Sequence, residues 1–171
     1  SCAAALRKAL PELVPTEAAR RVAARVHRFA SYIDTLVRGG WSPTPARPLP
    51  NEMVLQTHCH EYSVFGAGSH RRILTAAGVD DVRDAVGCCG VAGNFGFETQ
   101  HHDISMKVAE TSLAPTLRAA GDDSAVVTDG FSCAMQVAQI GVSAPGLHLA
   151  ELLDPGSRMS MSNNISEEES T

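Results

Sequence analysis

The feature that most constrains the fold of this chain is a change of pattern at Met53. From there on, short apolar runs alternate with longer stretches of helical periodicity. The runs predict four strands, at 53–57, 82–86, 125–128 and 147–148. Alternation of strands with helices builds a mostly parallel sheet with right-handed crossovers. We therefore expect an α/β fold, in which a small Rossmann-like sheet is flanked by helices.

The helices between these strands are predicted at 69–77, from about 98 to 120, up to about 140, and at 149–153. A single earlier helix is predicted from Thr16 to Gly39, because apolar residues recur there every three or four positions and Thr16 can cap its start. The expected organisation is a helical segment, a proline-rich loop, a cysteine-rich α/β domain and a disordered tail: 1–40, 41–52, 53–155 and 156–171.

Composition limits the classes of protein to which the chain can belong. With 171 residues, of which 44% are hydrophobic, it can bury a core of its own. The net charge of −5, without a basic stripe, argues against a nucleic-acid partner. The sequence contains no apolar run long enough for a bilayer and no signal peptide at its start, so we expect a soluble, cytoplasmic protein.

Five cysteines are the unusual feature of the composition: Cys2, Cys59, Cys88, Cys89 and Cys133. An odd count with an adjacent pair, in a chain without an export signal, argues against a secreted disulfide framework and favours metal or redox chemistry. All but the first lie just beyond the carboxyl end of a predicted strand. Because ligands bind at that edge of an open α/β sheet, we expect these four to converge.

The pattern of thiols indicates which metal centres they could bind. Thiolates are soft ligands that suit iron–sulfur clusters, zinc or copper(I). The adjacent Cys88 and Cys89 would be strained around one small tetrahedral ion, whereas a cluster with several irons accepts neighbouring thiolates. We also expect the glycine-rich stretch that follows to supply amide N–H groups to cluster sulfurs, from Gly90, Gly93 and Gly96.

Three blocks of sequence carry the cysteines: HCHEYSVFG, GCCGVAGNFGFE and VVTDGFSC. Together they resemble the C-terminal cysteine-rich module, called the CCG domain, of iron–sulfur oxidoreductases. That group includes heterodisulfide reductase, the iron–sulfur protein of glycolate oxidase and anaerobic glycerol-3-phosphate dehydrogenase. The resemblance is strongest to large fusion proteins of the D-lactate and D-2-hydroxyglutarate dehydrogenase type, and it covers residues 1–153.

The resemblance implies that the chain is the electron-transfer module of an FAD-dependent 2-hydroxy acid dehydrogenase. An iron–sulfur cluster of the [4Fe–4S] type would be held by Cys59, Cys88, Cys89 and Cys133. FAD would lie on an FAD-linked oxidase domain of the parent protein, outside this chain, and a quinone or other acceptor would take the electrons. The fragment alone is then expected to be inactive, and the parent protein to lie in the cytoplasm or peripherally at the inner face of the membrane.

Cys2 has a separate interpretation. Residues 1–10 and 132–141 both place Ser-Cys at the mouth of a helix, which suggests that Cys2 closes an earlier copy of the module, an upstream partner of this one. The family pattern ends in CxxC, but here Gln136 stands where its second cysteine would be. A five-thiolate cluster is therefore not expected, and Cys2 could replace one of the four ligands across the interface between modules.

Two other interpretations stay open at the level of sequence. The module could be a structural or interaction domain that holds zinc or no metal, which the missing cysteine after Cys133 favours. It could also carry a cluster that reduces disulfides, as the similarity to heterodisulfide reductase implies. Analysis of the bound metal distinguishes a structural module from an electron-transfer module. Replacement of Cys88 with Ser distinguishes disulfide reduction, which it should abolish, from electron transfer, which it should only slow.

Overall fold

One parallel four-stranded sheet organises the chain, as the alternating pattern predicts. The computed structural model describes residues 2–45, 48–121, 123–142, 144 and 146–154, and the predicted tail lies outside them. The strand order is β2-β1-β3-β4, and every pair is parallel. The strands are β1 (Glu52–Leu55), β2 (Asp81–Asp84), β3 (Ala125–Val127) and β4 (Gly146–Leu147). The predicted fold class is confirmed.

Helices precede the sheet and connect its strands. Before β1 lie α1 (Cys2–Ala4), a π-helical turn (Ala5–Ala9), α2 (Leu10–Leu13), α3 (Glu17–Ala24) and α4 (Phe29–Arg38). Between β1 and β3 lie α5 (Cys59–Phe65), α6 (Ser69–Ala76), a 3₁₀ turn (Phe95–Phe97), α7 (His102–Ala109) and α8 (Leu113–Ala119). The last two are α9 (Phe131–Ile140) and α10 (Leu149–Leu153). Within the described ranges, none of these helices is both long and apolar enough to cross a bilayer.

The two faces of the sheet bury two separate clusters of apolar side chains. Side chains alternate along a strand, so Met53 and Leu55 pack on one face and Val54 on the other. The first face is covered by α4, α6 and α10, and the second by α8 and α9. Because both faces are covered, the central strands are continuous apolar runs, which is typical of parallel sheets.

The predicted single helix from Thr16 to Gly39 is wrong, because the structure has two helices, α3 and α4, in its place. Thr16 does cap the first of them, since its hydroxyl oxygen accepts the Ala19 N–H at 3.2 Å. Arg28 is extended, with ψ 163°, and its N–H donates to the Ser31 hydroxyl oxygen at 3.0 Å. This bond starts a new helix, and the Arg28 side chain contacts Glu61 and Phe65 of α5.

The predicted long helix at 98–120 is also divided, into α7 and α8. Pro115 is the third residue of α8, where its missing N–H is tolerated. A continuous helix would place its ring against the carbonyl four residues earlier. The chain therefore leaves the helical conformation at Ser112, with φ −153°, and starts again. Helix α5 is not among the predicted elements, since the sequence pattern indicates only the end of a strand there.

Candidate functional site

The site lies where the topology of the sheet changes direction. β1 stands between β2 and β3, so the connections that follow β1 and β2 cover opposite faces of the sheet. In sheets of this kind the carboxyl ends of the two central strands border a crevice that binds ligands. Four thiols reach this edge, and we call them the thiol group: Cys59, Cys88, Cys89 and Cys133.

Each of these thiols is positioned by the loop that leaves a strand. Cys59 is the first residue of α5, after β1, and Cys133 is the third residue of α9, after β3. Cys88 and Cys89 lie in the loop after β2. That loop is held to β1 by Gln56, a buried side chain whose amide donates to the Gly87 carbonyl at 3.1 Å.

The structure brings the four thiols together, as the sequence predicts. The Cys89 thiol interacts directly with those of Cys133 and Cys88. Cys59 is close enough to act electrostatically on Cys88 and on Cys133. Cys89 and Cys133 are buried, Cys88 is half-buried and Cys59 is exposed. The group is therefore open to solvent on the side of Cys59 and closed on the side of Cys133.

These contacts make the thiols unequal in acidity. A hydrogen bond from Cys133 outweighs burial and lowers the pKa of Cys89 to about 6. The pKa of Cys133 is raised, first because its proton is held by Cys89 and then by burial. Burial also raises the pKa of Cys88. The contact with Cys133 therefore favours the thiolate form at Cys89, the form of cysteine that binds metals and attacks disulfides.

The glycine-rich loop after the cysteine pair is shaped by close packing. The Gly90 N–H donates to the Cys88 sulfur at 3.3 Å. A Cβ on Gly90 would lie 2.2 Å from the Ser105 carbonyl oxygen, and one on Gly96 would lie 2.4 Å from the Ser105 hydroxyl. The Gly96 N–H is engaged by the Val91 carbonyl, and Gly93 has open space around it.

Gln136 stands in the position of the missing cysteine and has a structural contact instead. It is fully buried, one helical turn after Cys133. Its amide nitrogen donates to the carbonyl and hydroxyl oxygens of Ser105, both at 3.4 Å, while its own oxygen is buried without a partner. The side chain therefore joins α9 to α7 behind the glycine-rich loop.

A buried cluster of ionisable side chains adjoins the thiol group, and no spacing in the sequence signals it. His70, 3% exposed, has its Nε2 2.9 Å from Asp129 and its Nδ1 3.1 Å from Glu61. Arg28 also contacts Glu61. Burial raises the pKa of Asp129, but the hydrogen bond and charge of His70, together with the Leu149 N–H and the charge of His148, outweigh it, and the pKa lies below its ordinary value. At the end of its strand Asp129 is expected to accept amide hydrogens of the Cys133 loop, but it accepts that of Leu149, at 3.0 Å.

Cys2 lies beside the site on a separate cavity. It is exposed at the start of α1 and lines a cavity of about 440 Å³ together with His58, His60 and Ser132. Burial, with a smaller contribution from His60, lowers the pKa of His58. A second, apolar cavity of about 520 Å³ is lined by Cys59 and Gly87. Cys2 lines the first of these two cavities and Cys59 lines the second.

The spacing of the donors distinguishes between kinds of metal centre. Sulfurs around one tetrahedral zinc ion lie about 3.8 Å apart, since each Zn–S bond is about 2.3 Å. Among the described residues, Glu61, His70 and Asp129 each place one ligand atom within 4.8 Å of the other two. No three cysteines of the described residues meet this condition. Among the described residues, no three sulfurs of the thiol group therefore have the spacing of a closed zinc site.

These observations define a class: a parallel α/β domain that gathers thiols at its topological switch point. Comparison with known proteins finds similarity to three dehydrogenases. The chain is 31% identical over 97 residues to D-2-hydroxyglutarate dehydrogenase of Pseudomonas putida. It is 32% identical over 104 residues to the protein of that name from Pantoea ananatis, and 33% over 101 residues to that from Escherichia coli.

The matches cover only a small part of each relative. They cover 56–58% of this chain but only 9–10% of each relative, so the chain spans about a tenth of the length of the curated proteins that it matches. No family model matches the chain, and no solved structure matches it.

Proposed function

We propose that this chain is an iron–sulfur electron-transfer module of an FAD-dependent 2-hydroxy acid dehydrogenase. The observation that carries the proposal is the thiol group, in which cysteines from three strand-end loops meet at the switch point of the sheet. The similarity to proteins named D-2-hydroxyglutarate dehydrogenase supports the dehydrogenase part of the proposal.

In this proposal the four thiols of the group bind the irons of a [4Fe–4S] cluster. When bound, such a cluster supplies one-electron transfer, which suits the step from a two-electron flavin to a quinone or other acceptor. The Gly90 N–H is placed to donate to a ligating sulfur, which stabilises negative charge there. The buried Cys89 and Cys133 exclude water from one side, and the exposed Cys59 leaves the other side open to a partner.

The test is to purify the chain without oxygen, reconstitute it with iron and sulfide, and measure iron, sulfide and the low-temperature EPR spectrum. The expected result is a cluster of about four irons per chain. Cys89→Ser should lose most of the iron, because it removes the thiolate at the centre of the group. Cys2→Ser is the matched control, since it removes an exposed thiol from the neighbouring cavity, and it should keep the cluster.

Two outcomes would contradict the proposal. One is an intact chain, with its cysteines reduced, that binds no iron under these conditions. The other is one equivalent of zinc without the visible absorbance of a cluster, which would support a structural module instead. Loss of iron in Cys2→Ser, with folding unchanged, would show that Cys2 belongs to the ligand set in place of one of the four.

A second candidate function, reduction of disulfides, is favoured by the contact between Cys89 and Cys133. The Cys89 thiolate can attack a disulfide and expel one thiol, and Cys133 can then resolve the mixed disulfide and expel the second. The pair is oxidised to a disulfide while the substrate is reduced to two thiols. Incubation of the metal-free chain with oxidised glutathione tests this. The expected product is a Cys89–Cys133 disulfide with release of two glutathiones, and stable glutathionylation alone would argue against it.

A further inference from the structure

We propose that His70 is a positioning residue that holds the loops carrying Cys59 and Cys133 in register with each other. The inference deepens the proposed function, and one of its two tests, the EPR spectrum of the reconstituted cluster, rests on that function. It is carried by one buried side chain that contacts both loops at once. His70 lies on α6 and belongs to neither loop, so it can act as a cross-link between them.

The first contact of His70 is with the loop after β3. Its Nε2 lies 2.9 Å from Asp129, which comes two residues after the strand and four before Cys133. The second oxygen of Asp129 accepts the Leu149 N–H at 3.0 Å, at the first turn of α10. The carboxylate is thereby held from two sides, and the segment between Asp129 and Cys133 begins from a fixed point.

The second contact of His70 is with α5. Its Nδ1 lies 3.1 Å from Glu61, which follows Cys59 by two residues in the first turn of the helix. Glu61 is itself buried and contacts Arg28, which comes from the start of α4. The ring of His70 therefore ties the first turn of α5, where Cys59 lies, to the loop that leads to Cys133.

The loops that carry Cys59 and Cys133 pack closely against each other. A Cβ on Gly130 would lie 2.6 Å from the His58 ring, so the residue before Cys59 packs directly on the loop before Cys133. A shift of either loop would separate this contact and change the distance between the thiols. In some proteins buried ionic groups select one arrangement among several, and His70 is placed to do so here.

The same three side chains do not make a convincing metal site. Glu61, His70 and Asp129 have ligand atoms within 4.8 Å of one another, but a divalent cation would have to displace Arg28 from Glu61. Both carboxylates already have a buried partner. A bridge between loops accounts for all four side chains, whereas a metal site leaves Arg28 unexplained.

The test compares variants of the full chain, each of which removes a different contact of α6. His70→Phe keeps a ring but removes both nitrogens, and His70→Gln keeps one amide donor. Arg72→Ala is the matched control on the same helix: it removes the ion pair with Asp34, on the side of α4, and leaves the thiol loops untouched. The metal-free, reduced proteins are pulse-labelled with iodoacetamide, and each cysteine is quantified by mass spectrometry.

The expected result is faster labelling of Cys133 in His70→Phe, by about 10- to 100-fold, which is the change in population that loss of a hydrogen bond to a charged group produces. Labelling in His70→Gln should lie between wild type and His70→Phe, because the amide can keep only one of the two contacts. Arg72→Ala should speed up the labelling of Cys133 only by the amount that its loss of global stability predicts, and urea denaturation measures that loss. Equal labelling in His70→Phe and Arg72→Ala at matched stability would overturn the proposal.

A second readout concerns the reconstituted cluster and separates the two proposals. His70→Phe should change the g-values of the EPR spectrum, because the thiol positions change, while Arg72→Ala should leave them as in wild type. Unchanged g-values in His70→Phe would overturn the positioning role. If wild type binds no iron, the proposed function fails, and the labelling experiment still decides the role of His70. Should His70→Phe fail to fold, Asp129→Asn weakens the same contact and takes its place in both measurements.

Discussion

Substitution of Gly90 tests how tightly the loop after the cysteine pair is packed. Gly90 has φ +98°, and a Cβ there would lie 2.2 Å from the Ser105 carbonyl oxygen. That oxygen belongs to the backbone of α7, so it cannot rotate out of the way. Gly93 is the matched control, because it also has a positive φ, +78°, but a Cβ there would meet nothing within 4 Å.

The difference between the two glycines sets the expected magnitudes. An alanine in the left-handed region costs about 1–2 kcal/mol. Gly93→Ala should lose this amount of stability and no more. Gly90→Ala must also move the loop or α7 by about 1.2 Å to restore ordinary contact, and such overpacking typically costs a further 1–3 kcal/mol. We therefore expect Gly90→Ala to lose about 2–5 kcal/mol.

The assay is urea denaturation followed by far-UV circular dichroism, with both variants compared with wild type at one pH. Because Gly90 directly follows Cys89, the displaced loop should also weaken the contact between Cys89 and Cys133, and labelling of Cys133 should become faster in Gly90→Ala than in Gly93→Ala. Equal losses of stability in the two variants would refute the reasoning, since the positive φ alone would then account for both.

Three further predictions concern single side chains. The absorbance of thiolate near 240 nm should titrate with a pKa of about 6 from Cys89, and Cys133→Ala should raise that pKa because the hydrogen bond is lost. Hydrogen bonds from Arg72, and then from Arg38, lower the pKa of Asp34, so this carboxylate stabilises the fold above pH 3.8 and the stabilisation is lost as pH falls through the lowered pKa. Urea denaturation at pH 7 and pH 3 should show a smaller difference for Asp34→Asn than for wild type, and an unchanged difference would contradict the assignment. Thr16→Ala should cost about 0.5–2 kcal/mol of unfolding free energy, as loss of a helix cap does, and no loss would show that the cap is dispensable.

The sheet could be predicted because its strands carry a local signal. β1 and β3 are buried on both faces, so each is a continuous apolar run bounded by polar or glycine-rich stretches. The convergence of the cysteines followed from the same reasoning, since the carboxyl ends of parallel strands meet at one edge. Both inferences need only the order of elements along the chain.

The helix boundaries are harder to predict, because apolar periodicity continues across a break. Apolar residues recur at helical spacing on both sides of Arg28 and of Ser112. The breaks depend on a hydroxyl that caps a new helix at Ser31 and on the ring of Pro115, whose consequence is visible only once the helix register is known. Pro115 is the signal that could have divided the second helix.

The sequence by itself determined the α/β fold and the meeting of four cysteines at one edge of the sheet, because periodicity and strand order are properties of the chain. The tertiary structure alone decided which groups surround those cysteines. His70, Glu61 and Asp129 come from three separate elements, and no spacing along the chain relates them. They pair because a buried polar or charged group is costly without a partner, and the fold places these three side chains within reach of one another.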